Sequence, residues 1–284
     1  MHVVSTEERI RKTVVRAGGT GNRYDYIGSP GTINANPQAF LVERLYPDAR
    51  IDPHFHDIDQ FQVVVQGFCK MGKKPAPPVT FQYADAYTPY GPIVGEKDGF
   101  AFFTLRPIAS GGFFPMPGNR HHMPGRAGRN IAGQFDAERK LPEAGALVRQ
   151  ALIPEQQDRV NAIGYWLGPN AQLNTESDVG GGRYYLLCAG EVRSREKVLT
   201  RHSVIHVSPG EPTQTLVATD EGAAVLALQF AVPSERPGSD PSKLAERDPD
   251  SYRMVPDNSG REPPLKSVKV FGHRTRPDAN VRRP

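Results

Sequence analysis

The chain is poor in the features that mark several large classes of protein. Two cysteines, Cys69 and Cys188, occur among 284 residues, too few for a disulfide framework, and a reduced, cytoplasmic setting is the expectation. No run of about 18 apolar residues exists, so no spanning helix is expected. The first residues mix Glu7, Glu8, Arg9 and Arg11 with few apolar side chains, and no secretory leader is expected. The formal charge is only +4 and scattered, which argues against a nucleic-acid partner. Helical periodicity is scarce as well. The one stretch expected to be helical is Glu143 to Leu152.

Turn formers and strand formers are abundant. The chain has 28 glycines and 27 prolines, and they punctuate short runs of Val, Tyr, Phe and Leu, the pattern of an all-β sandwich or barrel. Strands are expected at Phe40 to Tyr46, Phe61 to Val65, Gly99 to Arg106, Ala162 to Leu167, Tyr184 to Cys188, Ser203 to Val207 and Ala223 to Phe230. The length suits one large domain or two of ordinary size. Gly18-Gly19-Thr20-Gly21 reads as a turn, because it lacks the Gly-Lys-Ser/Thr ending of a phosphate loop. Lys70, Lys73 and Lys74 read as a solvated hairpin tip. Cys69 reads as an inert strand residue.

Pro53-His54-Phe55-His56-Asp57-Ile58-Asp59-Gln60 carries the densest chemistry. Side chains alternate along a strand, so His54 and His56 share a face and both imidazoles can address one ligand. Gln60 follows four residues after His56, and Gly67 follows seven after Gln60. A turn and a second strand can therefore set a third polar group beside the pair. This spacing resembles the first motif of the cupin superfamily: a glycine, two histidines one residue apart, a carboxylate beyond a short gap, then a second glycine. Two positions depart from it. Gln60 stands where the family usually has glutamate, and Asp48 holds the place of the leading glycine.

An internal repeat extends the resemblance. Pro47-Asp48-Ala49-Arg50-Ile51-Asp52 aligns without a gap with Pro169-Asn170-Ala171-Gln172-Leu173-Asn174. Continuing that register sets Glu176 against His54, Asp178 against His56 and, with one extra residue, Arg183 against Gln60; Gly190 then matches Gly67. The chain thus resembles a two-domain cupin, a bicupin, over about residues 36–115 and 155–232. The resemblance implies two jelly-roll β-barrels, each with an internal pocket. The expected division is an N-terminal arm over 1–35, a first barrel over 36–140 with the active pocket, a second, degenerate barrel over 141–232, and an extended Pro-rich tail over 233–284. Self-association through sheet edges, most simply as a homodimer, is implied as well, with neither membrane nor nucleic acid as partner.

The family's second motif, a Pro-x-Gly turn with a histidine three residues on, lacks its histidine in both repeats. Val94 follows Pro89-Tyr90-Gly91, and Thr213 follows Ser208-Pro209-Gly210. The resemblance implies a divalent transition metal, Fe, Mn, Ni or Zn, on His54, His56 and Gln60. That set is similar in outline to a 2-His-1-carboxylate site, but losing the carboxylate removes an attraction on the order of 4 kcal/mol at ~4 Å and an effective dielectric near 20. A cation so held would favour an anionic ligand. The alternative for the two histidines is a hydrogen-bonded pair without metal. His121-His122 reads as a solvated loop, and His2, His202, His206 and His273 carry no ligand spacing.

Gln60, Gln62 and Gln66 alternate with Phe61, Val63 and Val65, so one strand face is polar, and the motif position of Gln60 turns that face inward. Gln62, Tyr83, Tyr90, Val94 and Phe102 are the expected pocket lining; of Asp57 and Asp59, at least one is expected to face water. Glu176, Asp178 and Arg183 are expected to form an ion-pair cluster in the second barrel. One short strand, Lys266 to Phe271, is expected in the tail, with Arg274, Arg276, Arg282 and Arg283 solvated. Three functions stay open: a metal-dependent enzyme on a small anionic or aromatic molecule, with oxygenation ahead of isomerisation or lyase chemistry; a metal-free binding or structural protein; and metal-free acid–base catalysis.

Overall fold

A computed structural model describes residues 1–16, 19–110, 112–124, 128–240 and 243. It contains two antiparallel β-systems in tandem. The first sheet runs, in spatial order, Asn130–Gln134, Thr80–Ala84, Gln60–Met71, Ile93–Arg106, Gln38–Arg44, Gly19–Ile27 and Ile10–Arg16. The short strands Arg50–Ile51 and Lys74–Ala76 add to it. Facing it is a two-stranded piece, His54–Phe55 with Phe114–Pro115. The second sheet runs His2–Val4, Val204–Val207, Arg183–Ser194, Thr215–Gln229, Asn161–Leu167 and Leu147–Ile153. Both are jelly-roll barrels. No helix among the described residues is long and apolar enough to cross a membrane.

The repeat is visible in the backbone itself. Asp48 and Asn170, which the sequence alignment pairs, both adopt left-handed φ, 55° and 59°. Gly67 and Gly190 match at 71° and 67°, and Gly99 and Gly222 at 68° and 71°. A Cβ on Gly67 would collide with the carbonyl oxygen of Gly99, and one on Gly190 with that of Gly222. The motif's closing glycine is thus required twice, because two long strands cross there at backbone contact and at a φ that disfavours any side chain.

Strand parity explains where the main core lies. Phe61, Val63, Val65, Phe103 and Leu105 turn away from the interior of their own barrel. They meet Tyr184, Leu186, Leu226, Leu228 and Phe230 of the second barrel in one continuous apolar cluster. The opposite faces of the same strands line the two barrel interiors.

Three expectations need correction. Glu143 to Leu152 is a turn followed by the strand Leu147–Ile153, a largely exposed edge strand paired to Asn161–Leu167; pairing overrides local preference there. The N-terminal arm is sheet on both sides: His2–Val4 extends the second barrel through Val204–Val207, while Ile10–Arg16 and Gly19–Ile27 extend the first. The beginning of the tail returns to the first barrel, where Arg236 pairs with Asp59 in a two-pronged contact. The tail strand at 266–271, the terminal arginines, His273 and Gly18 lie outside the described residues. Lys70, Lys73 and Lys74 do flank a hairpin turn, and both thiols are buried and pushed up to about 12 by that burial.

Candidate functional site

The first barrel's inward face is polar on four neighbouring strands. Gln38, Gln60, Gln62, Gln82, Thr104 and Arg106 are all buried. One chain of hydrogen bonds links most of them. Gln82 Nε2 donates to Gln62 Oε1 at 2.6 Å, Gln62 Nε2 donates to the Tyr90 phenol oxygen at 3.4 Å, and Gln60 Nε2 donates to the same oxygen. On its other side Arg106 donates from Nη2 to Gln60 Oε1 at 3.4 Å and from Nη1 to Gln38 Oε1 at 2.9 Å. With two amide donors on its oxygen, the Tyr90 hydroxyl is left to donate its own proton.

His54 and His56 reach this network from the two-residue strand opposite. His54 exchanges backbone hydrogen bonds with Tyr90, 3.1 and 3.0 Å, and Phe55 between the histidines points the other way, stacked on Phe114 at 4.8 Å. The two imidazoles stand edge to face, 5.1 Å apart, with Phe113 against His54 at 4.5 Å. Each ring is oriented by a carbonyl. His54 Nδ1–H donates to Asp52 O at 2.7 Å and His56 Nδ1–H donates to Gly112 O at 2.5 Å. Both Nε2 lone pairs are therefore presented to the barrel interior. Burial holds His54 down at about 4, with the positive charge of Arg106 adding to it, and burial then Arg106 hold His56 well below its ordinary value. Both rings are neutral near pH 7. The Tyr90 phenol is pushed up by burial and stays protonated.

The structure thus brings together His54, His56, Gln60, Gln62, Tyr90 and Phe102, the last in the barrel's inner apolar cluster. Tyr83 is a correction: it faces the second barrel, 6.2 Å from Phe230, with its hydroxyl on Asp59 at 2.9 Å. Val94 is another, half-buried at the far end of its strand opposite Arg50 and Lys70. Asp57 and Asp59 are both buried, the first accepting from Ser110 Oγ and the second held by Arg236 and Tyr83. His122 is buried against Phe114, on the Phe55 side of the strand, and is no part of the imidazole pair's surroundings. Arg106, Gln38, Gln82 and Phe113 are the members that sequence reasoning missed. For Arg106 a signal was present, since it shares strand parity with Phe102 and Thr104.

Comparison with solved structures follows the same geometry. A proposed dioxygenase from Nostoc punctiforme superposes with a TM-score of 0.60 at 12% identity, covering 81% of this chain and 82% of that one. The Mn(II)-containing oxalate decarboxylase of Bacillus subtilis superposes with a TM-score of 0.52 at 11% identity, over 82% of this chain and 78% of that one. The fold is that of a bicupin. No family model matches the sequence, and no curated protein matches it.

In the first barrel the donor set does not fit a divalent metal ion. Among the described residues no third His, Cys, Asp or Glu joins the histidine pair. Instead Arg106 Nη2 lies 3.4 Å from both His56 Nε2 and Gln60 Oε1. An ion bound by those two atoms would sit beside a buried guanidinium, with a repulsion on the order of 8 kcal/mol at ~4 Å and an effective dielectric near 20. Arginine cannot relieve it by losing a proton.

The interior of the second barrel is apolar where that of the first is polar. Where the first has Gln62, Gln82 and Thr104, it has Tyr185, Ile205 and Ala227 in matching register. Arg183 is buried and pairs with Glu176 at 2.7 Å. Asp178 is a further correction: it is exposed and pairs with Arg159 at 3.1 Å rather than joining that cluster.

Proposed function

We propose that the first barrel is a metal-independent acid–base site, in an enzyme of isomerase or lyase type acting on a small organic molecule. The observation that carries this reading is a neutral imidazole, His54, whose Nε2 accepts no hydrogen bond among the described residues, set in one barrel interior with a fixed guanidinium and a protonated phenol. His54 Nε2 would take a proton from a carbon beside a carbonyl. The electron pair moves onto the carbonyl oxygen, and the enolate charge faces Arg106 Nη2. Charge forming there offsets the Arg106 repulsion that adds to burial in keeping His54 unprotonated, so base strength rises as the proton moves. Tyr90 O–H is the donor that returns a proton to the product side. His56 and the Gln38–Arg106–Gln60 frame hold these groups in position. The fold alone does not choose among chemistries.

A metal-dependent oxygenase is the second reading, favoured by one observation: both Nδ1–H groups are tied to carbonyls, the tautomer in which Nε2 can ligate. One experiment separates the two. Protein dialysed against chelator is incubated in D2O with a panel of small carbonyl compounds, and loss of the adjacent C–H proton is followed by NMR. Exchange that persists without metal and falls about 10²-fold or more in His54→Gln supports the acid–base reading. Near-stoichiometric metal by elemental mass spectrometry, absent from a His54→Ala/His56→Ala variant and needed for turnover, would overturn it.

A further inference from the structure

The geometry points to a carboxylate as the group recognised in the first barrel, with the Nε/Nη2 edge of Arg106 as the recognition element. This deepens the acid–base reading of the same pocket, and rests on it. Arg106 is 4% exposed. Its hydrogen-bonding neighbours, Gln38, Gln60 and His56, are all neutral; among the described residues it forms no ion pair, and the buried carboxylate of Asp57 acts on it only from beyond ion-pair distance while accepting from Ser110 Oγ. Its Nε–H is buried without a hydrogen-bond partner. A guanidinium cannot escape burial by deprotonating, and a buried cation with no carboxylate in contact is stabilised where a ligand supplies one. The two glutamines fix the plane of the fork. Gln38 takes Nη1 at 2.9 Å, whereas the Nη2 contacts are long, 3.1 to 3.4 Å. The edge formed by Nε and Nη2 is the side that a carboxylate grips with two parallel hydrogen bonds.

The second barrel carries an internal likeness of that complex. Arg183 pairs across the sheet with Gln229, as Phe61 pairs with Leu105 one step from Gln60 and Arg106. The arginine and the glutamine have exchanged strands, and Asn161 stands where Gln38 stands in the first barrel. Arg183 donates to Gln229 Oε1, and its counter-charge is Glu176 at 2.7 Å. Glu176 aligns with His54 in the sequence repeat. One barrel thus supplies its arginine with a carboxylate from its own chain, and the other has an imidazole at that position. The apolar ring of Phe40, 5.4 Å under the guanidinium, is an apolar wall for the remainder of the ligand.

The test is ligand-observed saturation-transfer NMR on the full chain at constant ionic strength, with acetate and its neutral isostere acetamide as probes. Saturable acetate binding is expected, with none for acetamide, and acetate affinity at least tenfold lower in Arg106→Gln. Arg106→Lys keeps the charge without the two-pronged edge; it is expected to fold and to bind acetate more weakly than the parent. Equal signals from acetate and acetamide, no saturable acetate signal, or unchanged acetate affinity in both variants would overturn the assignment. The measurement needs no turnover. Acetate binding that survives while proton exchange proves independent of His54 would remove the acid–base reading alone, and His54-dependent exchange without acetate binding would remove the carboxylate alone.

Discussion

The two barrels share strand order, turn positions and even the φ values of their turn residues, yet one interior is polar and the other apolar. In the first, the inward residues of the central strand are Gln60, Gln62 and Val64; in the second, Arg183, Tyr185 and Leu187 take their places. Across the sheet, Phe102, Thr104 and Arg106 face Val225, Ala227 and Gln229 as counterparts. The second interior closes as an apolar core around Ile163, Tyr165, Leu187 and Val225, and its one buried arginine is neutralised within the chain. An apolar core contributes stability, whereas buried amides, imidazoles and a guanidinium with no carboxylate in contact contribute little of it. The difference teaches that one backbone repeat carries two chemically different interiors, and that the proposed function rests on the inward side chains of the first.

The strongest way to break this comparison is to separate the barrels. Phe230 is fully buried and lies 5.1 Å from Phe61 of the first barrel and 6.0 Å from Tyr184 of its own. Phe230→Ala is expected to lower stability by about 3–5 kcal/mol, and because the cluster is shared, both barrels should lose stability together in chemical denaturation. An effect confined to the second barrel would show that the cores are independent.

Acid titration sharpens the contrast next. Burial lowers His54 to about 4 in the first barrel and His206 to about 3 in the second. In the unfolded chain histidine titrates near 6.5, so between about pH 6.5 and 4 the unfolded state binds more protons, and folding stability falls as pH falls. A shift from 6.5 to about 4 corresponds to on the order of 3 kcal/mol. His206 packs on Tyr184 at 4.6 Å, its two ring nitrogens buried without partners, with His2 and Glu211 the nearest titratable side chains. His206→Phe is therefore expected to flatten the acid limb of the stability curve, read by urea midpoints at pH 7 and 4.5, while leaving proton exchange in the first barrel unchanged.

The smallest expected effects test the scaffold. Gly67→Ala and Gly190→Ala each force a Cβ onto a facing carbonyl at left-handed φ, costing roughly 1–3 kcal/mol apiece. The two losses should agree within about 0.5 kcal/mol if the barrels are structurally equivalent at this crossing. Unequal losses would mean that the repeat is less exact than its dihedral angles.

Much of the fold could be read from residue order. The two-barrel architecture followed from the His54–Gly67 spacing and the repeat at Pro47 and Pro169, and each of the seven expected strands overlaps an observed one, four lying wholly within it and three, at Tyr46, Ser203 and Phe230, overrunning it by one or two residues. Reading the site was harder. Tyr83 has the alternation of a pocket residue but faces the partner barrel. Every central strand here is buried on both faces, one in a barrel interior and one in the shared core, and periodicity alone does not tell the two apart. The Leu147–Ile153 edge strand failed for a related reason, since its partner lies outside the local window.

By itself, then, the sequence determined strands, turns and the His54–His56 pair, because those depend on neighbours within a few residues and on glycine's freedom at two crossings. Only the tertiary structure decided what surrounds the pair. Arg106 reaches Gln60 across 46 residues and His56 across 50, through strand register rather than spacing. A guanidinium buried there with no carboxylate in contact among the described residues is a property of the assembled barrel, because only there is water excluded from all of its sides.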